Sequence, residues 1–313
     1  FLIVPLLFSL FFFIILKSLS IRLSSFKFIK IKYKVSFTLI SLFFAFLIYF
    51  IGILLESNLS KVIQNAQLYQ KNLSFIFDYI KDSSLGSLPV SFNQFILNIN
   101  FANIFSKILN SLTGIASNFS LVIIYLIFIV LEENLFKTKI LKLSSKKSTL
   151  KILEKINIEI FNYFQLKTLT SFLTGLLTFI VLIFFDNDLA IFFGILSFIL
   201  NFIPFLGSLI SIIFPFIFSL VQFLDLVQST LLLLFLVIIQ ILVGNFLEPK
   251  LMGKSLNLSP IVMLISLSLM GKLWGISGMF LSIPILVVLL IFFSNFHSTK
   301  KIALLLSEKG EIN

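Results

Sequence analysis

Eight apolar stretches of this chain carry no lysine, arginine, aspartate or glutamate: residues 1–16, 35–55, 108–131, 168–185, 189–224, 226–247, 255–271 and 273–299. About 20 apolar residues cross the hydrocarbon of a bilayer as a helix, the one single-segment structure that satisfies its own backbone polar groups without water. With 59% hydrophobic and 12% charged residues, the chain cannot cover itself with a wetted surface; soluble domains carry about 25% charged residues. The expected fold is an all-α polytopic membrane protein of about 7–9 membrane segments, with re-entrant or broken helices among them and an amphipathic extracytoplasmic helical segment.

The run 189–224 is 36 residues long, too long for one ordinary crossing and interrupted by NFIPFLG at 201–207. Pro204 lacks a backbone donor and Gly207 loosens the chain, so a hairpin is expected there. Its halves are either two short spans or one re-entrant hairpin, and 255–299 is open to the same choice. Neither choice alters the side on which any charged loop falls.

Net charge is +11, and the basic residues fall in blocks. Residues 17–34 hold Lys17, Arg22, Lys27, Lys30, Lys32 and Lys34 without an acid; 132–167 holds eight lysines; Lys250, Lys254, Lys300, Lys301 and Lys309 follow. Placing these blocks inside puts 19 of the 24 basic residues in the cytoplasm, as lysine and arginine distribute in membrane proteins. The acids Asp186, Asp188 and Asp225 then fall outside. Nucleic acid is not an expected partner, because the charge is accounted for by these loops.

The expected divisions are an N-terminal transmembrane hairpin with its basic loop (1–55), an extracytoplasmic amphipathic segment (56–107), a transmembrane helix (108–131), a basic cytoplasmic connector (132–167), a C-terminal transport core (168–299) and a cytoplasmic tail (300–313). Residues 1–16 would enter from outside, so a preceding helix is expected. In 56–107, Leu59, Val62, Ile63, Ala66, Tyr69, Leu73, Ile76 and Ile80 recur at helical spacing. That face fits a gate or oligomer contact, or more simply a helix on the outer membrane surface. The connector's lysines are expected at lipid headgroups or in solvent.

Enzyme chemistry finds little footing. There is no cysteine, no His/Asp/Glu cluster at metal-ligand spacing and no phosphate-binding glycine loop. His297 is the single histidine. No cofactor or metal is expected.

Polar residues within apolar runs are costly unless they face protein or water. Here they are neutral amides: Gln165, Asn201, Gln222, Gln228, Gln240 and Asn245. A pathway lined by amides suits a neutral, polar, sugar-like solute, and helix–helix hydrogen bonding is the structural alternative, preferred for Gln222 and Gln228. Pro204 and Gly207, Pro249 and Gly253, and Gly271, Gly275, Gly278 and Pro284 break apolar segments. Transporters build sites from such breaks. In GNFLEPKLMGKSLNLSP (244–260), Pro249 is expected to stop a span, and KLMGKSLNL to cross over to the segment beginning near Pro260. Glu248 there serves a coupling ion or gate, or sits in the interface with Lys250.

The ordered set IPFLG (203–207), GNFLEPKLMGKSLNLSP (244–260) and GKLWGISGMFLSIP (271–284) resembles the autoinducer-2 exporter family of bacterial permeases, also called PerM-like. The resemblance implies a secondary permease of the bacterial inner membrane, exporting autoinducer-2 or a similar small polar solute, with a proton or sodium ion as a coupling ion and a homo-oligomeric, pentameric assembly. The mechanism expected from the broken segments is alternating access around 201–208 and 244–253, with glycines 271, 275 and 278 allowing sliding. The family pattern often has an acid before the motif glycine, where this chain has Val243. That departure bears on ion coupling. A sodium or lithium/proton antiporter and a non-transporting scaffold using 56–107 are the alternatives.

Overall fold

The computed structural model describes residues 2–25, 32–82, 100–143, 147–252, 257–296, 298–308 and 310. All regular structure among them is helical: α1 (Ile3–Ser24), α2 (Tyr33–Gln64), α3 (Ala66–Asp82), α4 (Phe101–Leu143), α5 (Lys147–Phe184), α6 (Ala190–Leu200), α7 (Leu206–Phe223), α8 (Leu226–Gln240), a π-helical stretch Ile241–Leu247, α9 (Glu248–Met252), α10 (Pro260–Ser294) and α11 (Lys300–Leu306). Among the described residues, 7 helical stretches are long and apolar enough to cross a membrane, and Ala190–Leu200 is a shorter apolar helix. The chain is an all-α polytopic membrane protein.

Several helices outrun the apolar runs that define them. Residue 17 does not begin a loop: α1 continues to Ser24, and Lys17 on it donates to Glu133 of α4 at 2.5 Å. A helix leaving the hydrocarbon need not stop, because its backbone is already satisfied and its new side chains meet water or each other.

The chain divides into two compact units. The first comprises Phe1–Leu47, Ala116–Leu169 and Glu248–Asn313. Here α1 packs on α10, with Phe8 and Phe280 at 5.6 Å and Phe11 and Phe164 at 5.6 Å between ring centroids. The buried Ser36 hydroxyl donates to the Ser20 carbonyl at 3.0 Å, fastening the start of α2 to α1. α11 folds back on α10, and Ser259 N–H donates to the Leu306 carbonyl.

The second unit comprises Ile48–Ile115 and Thr170–Leu247. Its core gathers Leu59, Val62, Tyr69, Phe105, Leu182, Leu189, Phe193, Phe218, Leu232 and Val243. The apolar face of α3, with Tyr69, Leu73 and Ile76, is turned to this core. It packs against α7, with the Tyr69 and Phe218 rings 5.1 Å apart. An amphipathic period shows that one face seeks burial without saying in what.

Candidate transport site

Each unit contains one helical hairpin closed at a motif named above. In the second unit α6 and α7 meet at Asn201–Phe205. α6 has 11 residues, about 16 Å of helix, half a bilayer's hydrocarbon. The reversal is tight: the Leu206 N–H donates to the Pro204 carbonyl at 2.7 Å, across Phe205 at φ 60° and ψ −58°. This is a classical γ-turn, a strained form for a residue with a side chain. Pro204 thus contributes the turn's acceptor. Gly207 is buried where a β-carbon would stand 1.8 Å from the Leu200 oxygen, so the motif glycine is required by close approach. Asn201, ending α6, is 6% exposed and donates from Nδ2 to Ser171 Oγ on α5 at 3.1 Å.

In the first unit α10 reverses at Gly275, whose φ 64° and ψ −146° only glycine adopts readily. A β-carbon on Gly278 would lie 2.1 Å from the Met270 oxygen, and one on Gly271 2.6 Å from Met279 Cε. In a continuous helix residues eight apart stand about 12 Å apart, so these contacts establish that the two halves double back. Gly271, Gly275 and Gly278 form the tip, the buried Pro284 lies in the returning half, and the exposed Pro260 opens the first half at its N-terminus.

The third motif behaves differently. Pro249 does not stop the helix; α8 passes through the π-helical stretch directly into α9, and Pro249 is the second residue of that short helix. A proline is tolerated in a first turn, where its missing donor breaks no bond, and the π register resets the ladder just before it. Gln240 lies over Gly244, with Nε2 3.2 Å from where a β-carbon would be. Asn245 and Pro249 are exposed. Gly253 lies outside the described residues, as does His297.

Glu248 does not remain at the surface with Lys250. Its carboxylate accepts from Lys167 Nζ of α5 at 2.5 Å, and the two side chains are 19% and 6% exposed. Tyr163, one turn before Lys167 and buried, lies within electrostatic reach of that carboxylate. Lys167 is the residue that sequence reasoning missed, because it reads as the last lysine of a basic connector. The signal available was its position directly before an apolar run, facing no acid within its own helix turn. Also missed was a buried hydroxyl row on α5, Thr170, Thr174 and Thr178 with Ser171, legible as a four-residue spacing.

The remaining amides have structural posts. Gln165 is exposed and accepts from Arg22 Nη1 at 2.9 Å, while that guanidinium stacks over Phe161 at 4.5 Å. Gln222 donates to the Asp186 carbonyl and accepts from the Asp188 N–H, and Gln228 donates to the Phe185 carbonyl. Both hold the α5–α6 turn. Tyr69 donates to Asp188 at 2.6 Å in the same turn, and burial, followed by this bond, raises its phenol above the ordinary range.

Residues 1–298 match the profile described as AI-2E family transporter. The chain belongs to the AI-2E transporter family. Relatives of this AI-2E chain include a Borreliella burgdorferi protein named "Putative transport protein", 34% identical over 247 residues, or 76% of this chain and 67% of that one. A Haemophilus influenzae protein of the same name is 31% identical over 291 residues, 87% of this chain and 80% of that one. The AI-2 transport protein TqsA of Escherichia coli strain K12 is 30% identical over 204 residues, 65% of this chain and 59% of TqsA. The AI-2E family and these names mark a transporter.

Proposed function

We propose that this chain is a secondary-active permease of the bacterial inner membrane, with its C-terminus in the cytoplasm, that exports a small polar solute by alternating access. The observation that carries the reading is the pair of helical hairpins closed at Phe205 and Gly275. Broken helices expose backbone groups that are tolerated only inside protein or against a water-filled cavity, and strained tips of this kind collect where function needs them. The reversal at 201–208 and the π-helical stretch Ile241–Leu247 are the moving parts, with Gly271, Gly275 and Gly278 giving the second hairpin room to slide. Asn201, Gln240 and Asn245 supply the neutral hydrogen-bonding groups of the pathway. TqsA's name supports autoinducer-2 as the solute, and the assembly is a homo-oligomer, pentameric by family resemblance.

Uptake of autoinducer-2 into inverted vesicles containing the protein tests this. Saturable uptake, lost on Asn245→Ala and Pro204→Ala in protein shown to be inserted, is the expected result. No uptake with a sodium-dependent change of internal pH would replace it with an antiporter, and neither signal would leave a scaffold.

A further inference from the structure

The Lys167–Glu248 pair is more than that reading uses. Eighteen uncharged residues follow Lys167 (168–185), about one bilayer thickness of helix, so Lys167 stands at the edge of the apolar layer. A lysine there ordinarily extends its stem and leaves its ammonium among headgroups. Lys167 instead turns inward, and its Nζ donates to the Glu248 carboxylate at 2.5 Å. Two charges withdrawn from water are tolerable together, but removing either strands the other. Glu248 is also the first residue after the π-helical stretch Ile241–Leu247, a rare local register that recurs at functional sites. Among the described groups, Lys167 and Tyr163 of α5 face it, and Lys250 on α9 itself is exposed.

Resting on the permease reading, we propose that Glu248 is the proton-binding group of the transport cycle, and Lys167 the internal cation that takes the proton's place. With the carboxylate ionised, Lys167 neutralises it and holds α5 to α9. When Glu248 takes one proton from water on one side of the membrane, its carboxylate no longer compensates the Lys167 ammonium, which keeps its own proton and swings out to water. The pair goes from zero to one positive charge and the contact opens at the π-helical joint. Loss of that proton to the other side restores the pair. One proton is carried per cycle, against the solute.

The chain contains no cysteine, so spin labels can be placed without background. Labels at Leu169→Cys on α5 and Leu251→Cys on α9, both exposed, report the separation by pulsed electron resonance in proteoliposomes, without any solute. The expected result is one distance at pH 8 and a second, longer population at pH 5. Glu248→Gln should show the longer population at both pH values, and Glu248→Gln combined with Lys167→Met should lose the pH response. A single distance under all conditions overturns the proposal, whatever the protein carries. In the same vesicles, autoinducer-2 accumulation by the unlabelled protein should change up to about tenfold per unit of imposed pH gradient, and Glu248→Gln should abolish that dependence. A sodium gradient that drives accumulation without any effect of pH also overturns it. A pH-linked second distance with no autoinducer-2 movement retains the proton site and overturns the choice of solute.

Discussion

Gly207 faces the carbonyl of Leu200 so closely that a β-carbon would lie 1.8 Å from the oxygen and 2.5 Å from the carbon. These are backbone atoms at the root of the α6–α7 hairpin and cannot swing aside as a side chain would.

Gly207→Ala should therefore open the hairpin root, costing about 2–3 kcal/mol or more as an overpacked contact without a flexible neighbour. The thermal midpoint of purified protein measures this. Gly52, with nothing within 4 Å of a β-carbon, is the control: Gly52→Ala should raise the midpoint slightly, since alanine is favoured over glycine within a helix by about 1 kcal/mol.

The two hairpin tips should respond oppositely to exchange of glycine and non-glycine residues. Gly275→Ala meets no atom but must hold φ 64°, costing about 1–3 kcal/mol. Phe205→Gly relieves a positive φ and should raise the midpoint while lowering solute flux, if the stored strain serves the cycle. Unchanged flux in Phe205→Gly would show the γ-turn to be structural only.

Tyr69→Phe removes the donor to Asp188 and should cost about 1–3 kcal/mol at neutral pH. Because the folded phenol titrates above its ordinary range, its contribution is complete below pH about 10 and is lost as pH rises beyond that value. Wild-type stability should fall above pH 10 more steeply than that of Tyr69→Phe, as read from denaturation midpoints across that window.

The amides should separate by position. Asn201→Ala, which leaves the buried end of α6 without its bond to Ser171, should cost about 1–3 kcal/mol and reduce flux. Gln165→Ala, exposed and bonded to Arg22 at the surface, should change stability by less than about 0.5 kcal/mol and leave flux intact.

Much of the site was legible because its parts are local. Pro204 marks a chain reversal by its missing donor, Gly275 by the positive φ it adopts and Gly207 by the close approach it permits, and the structure turns at both motifs. GNFLEPK misled because proline has two meanings. It ends a helix when it arrives mid-ladder and begins one when the ladder has just been reset, and the π register ahead of it is not written in residue type. The pairing of Glu248 was hidden for another reason. Glu248 and its partner lie 81 positions apart in sequence, and single lysines beside apolar runs are commonplace.

By itself the sequence determined that the protein is a helical membrane protein with interrupted segments, because apolar length and missing charge answer directly to the bilayer. Only the tertiary structure decided which faces meet protein. It placed the greasy side of α3 on α7, folded α10 into a hairpin, and brought Lys167 inward to Glu248. Burial and ion pairing are properties of neighbours, and neighbours distant in the chain are set by packing that no single run of residues specifies.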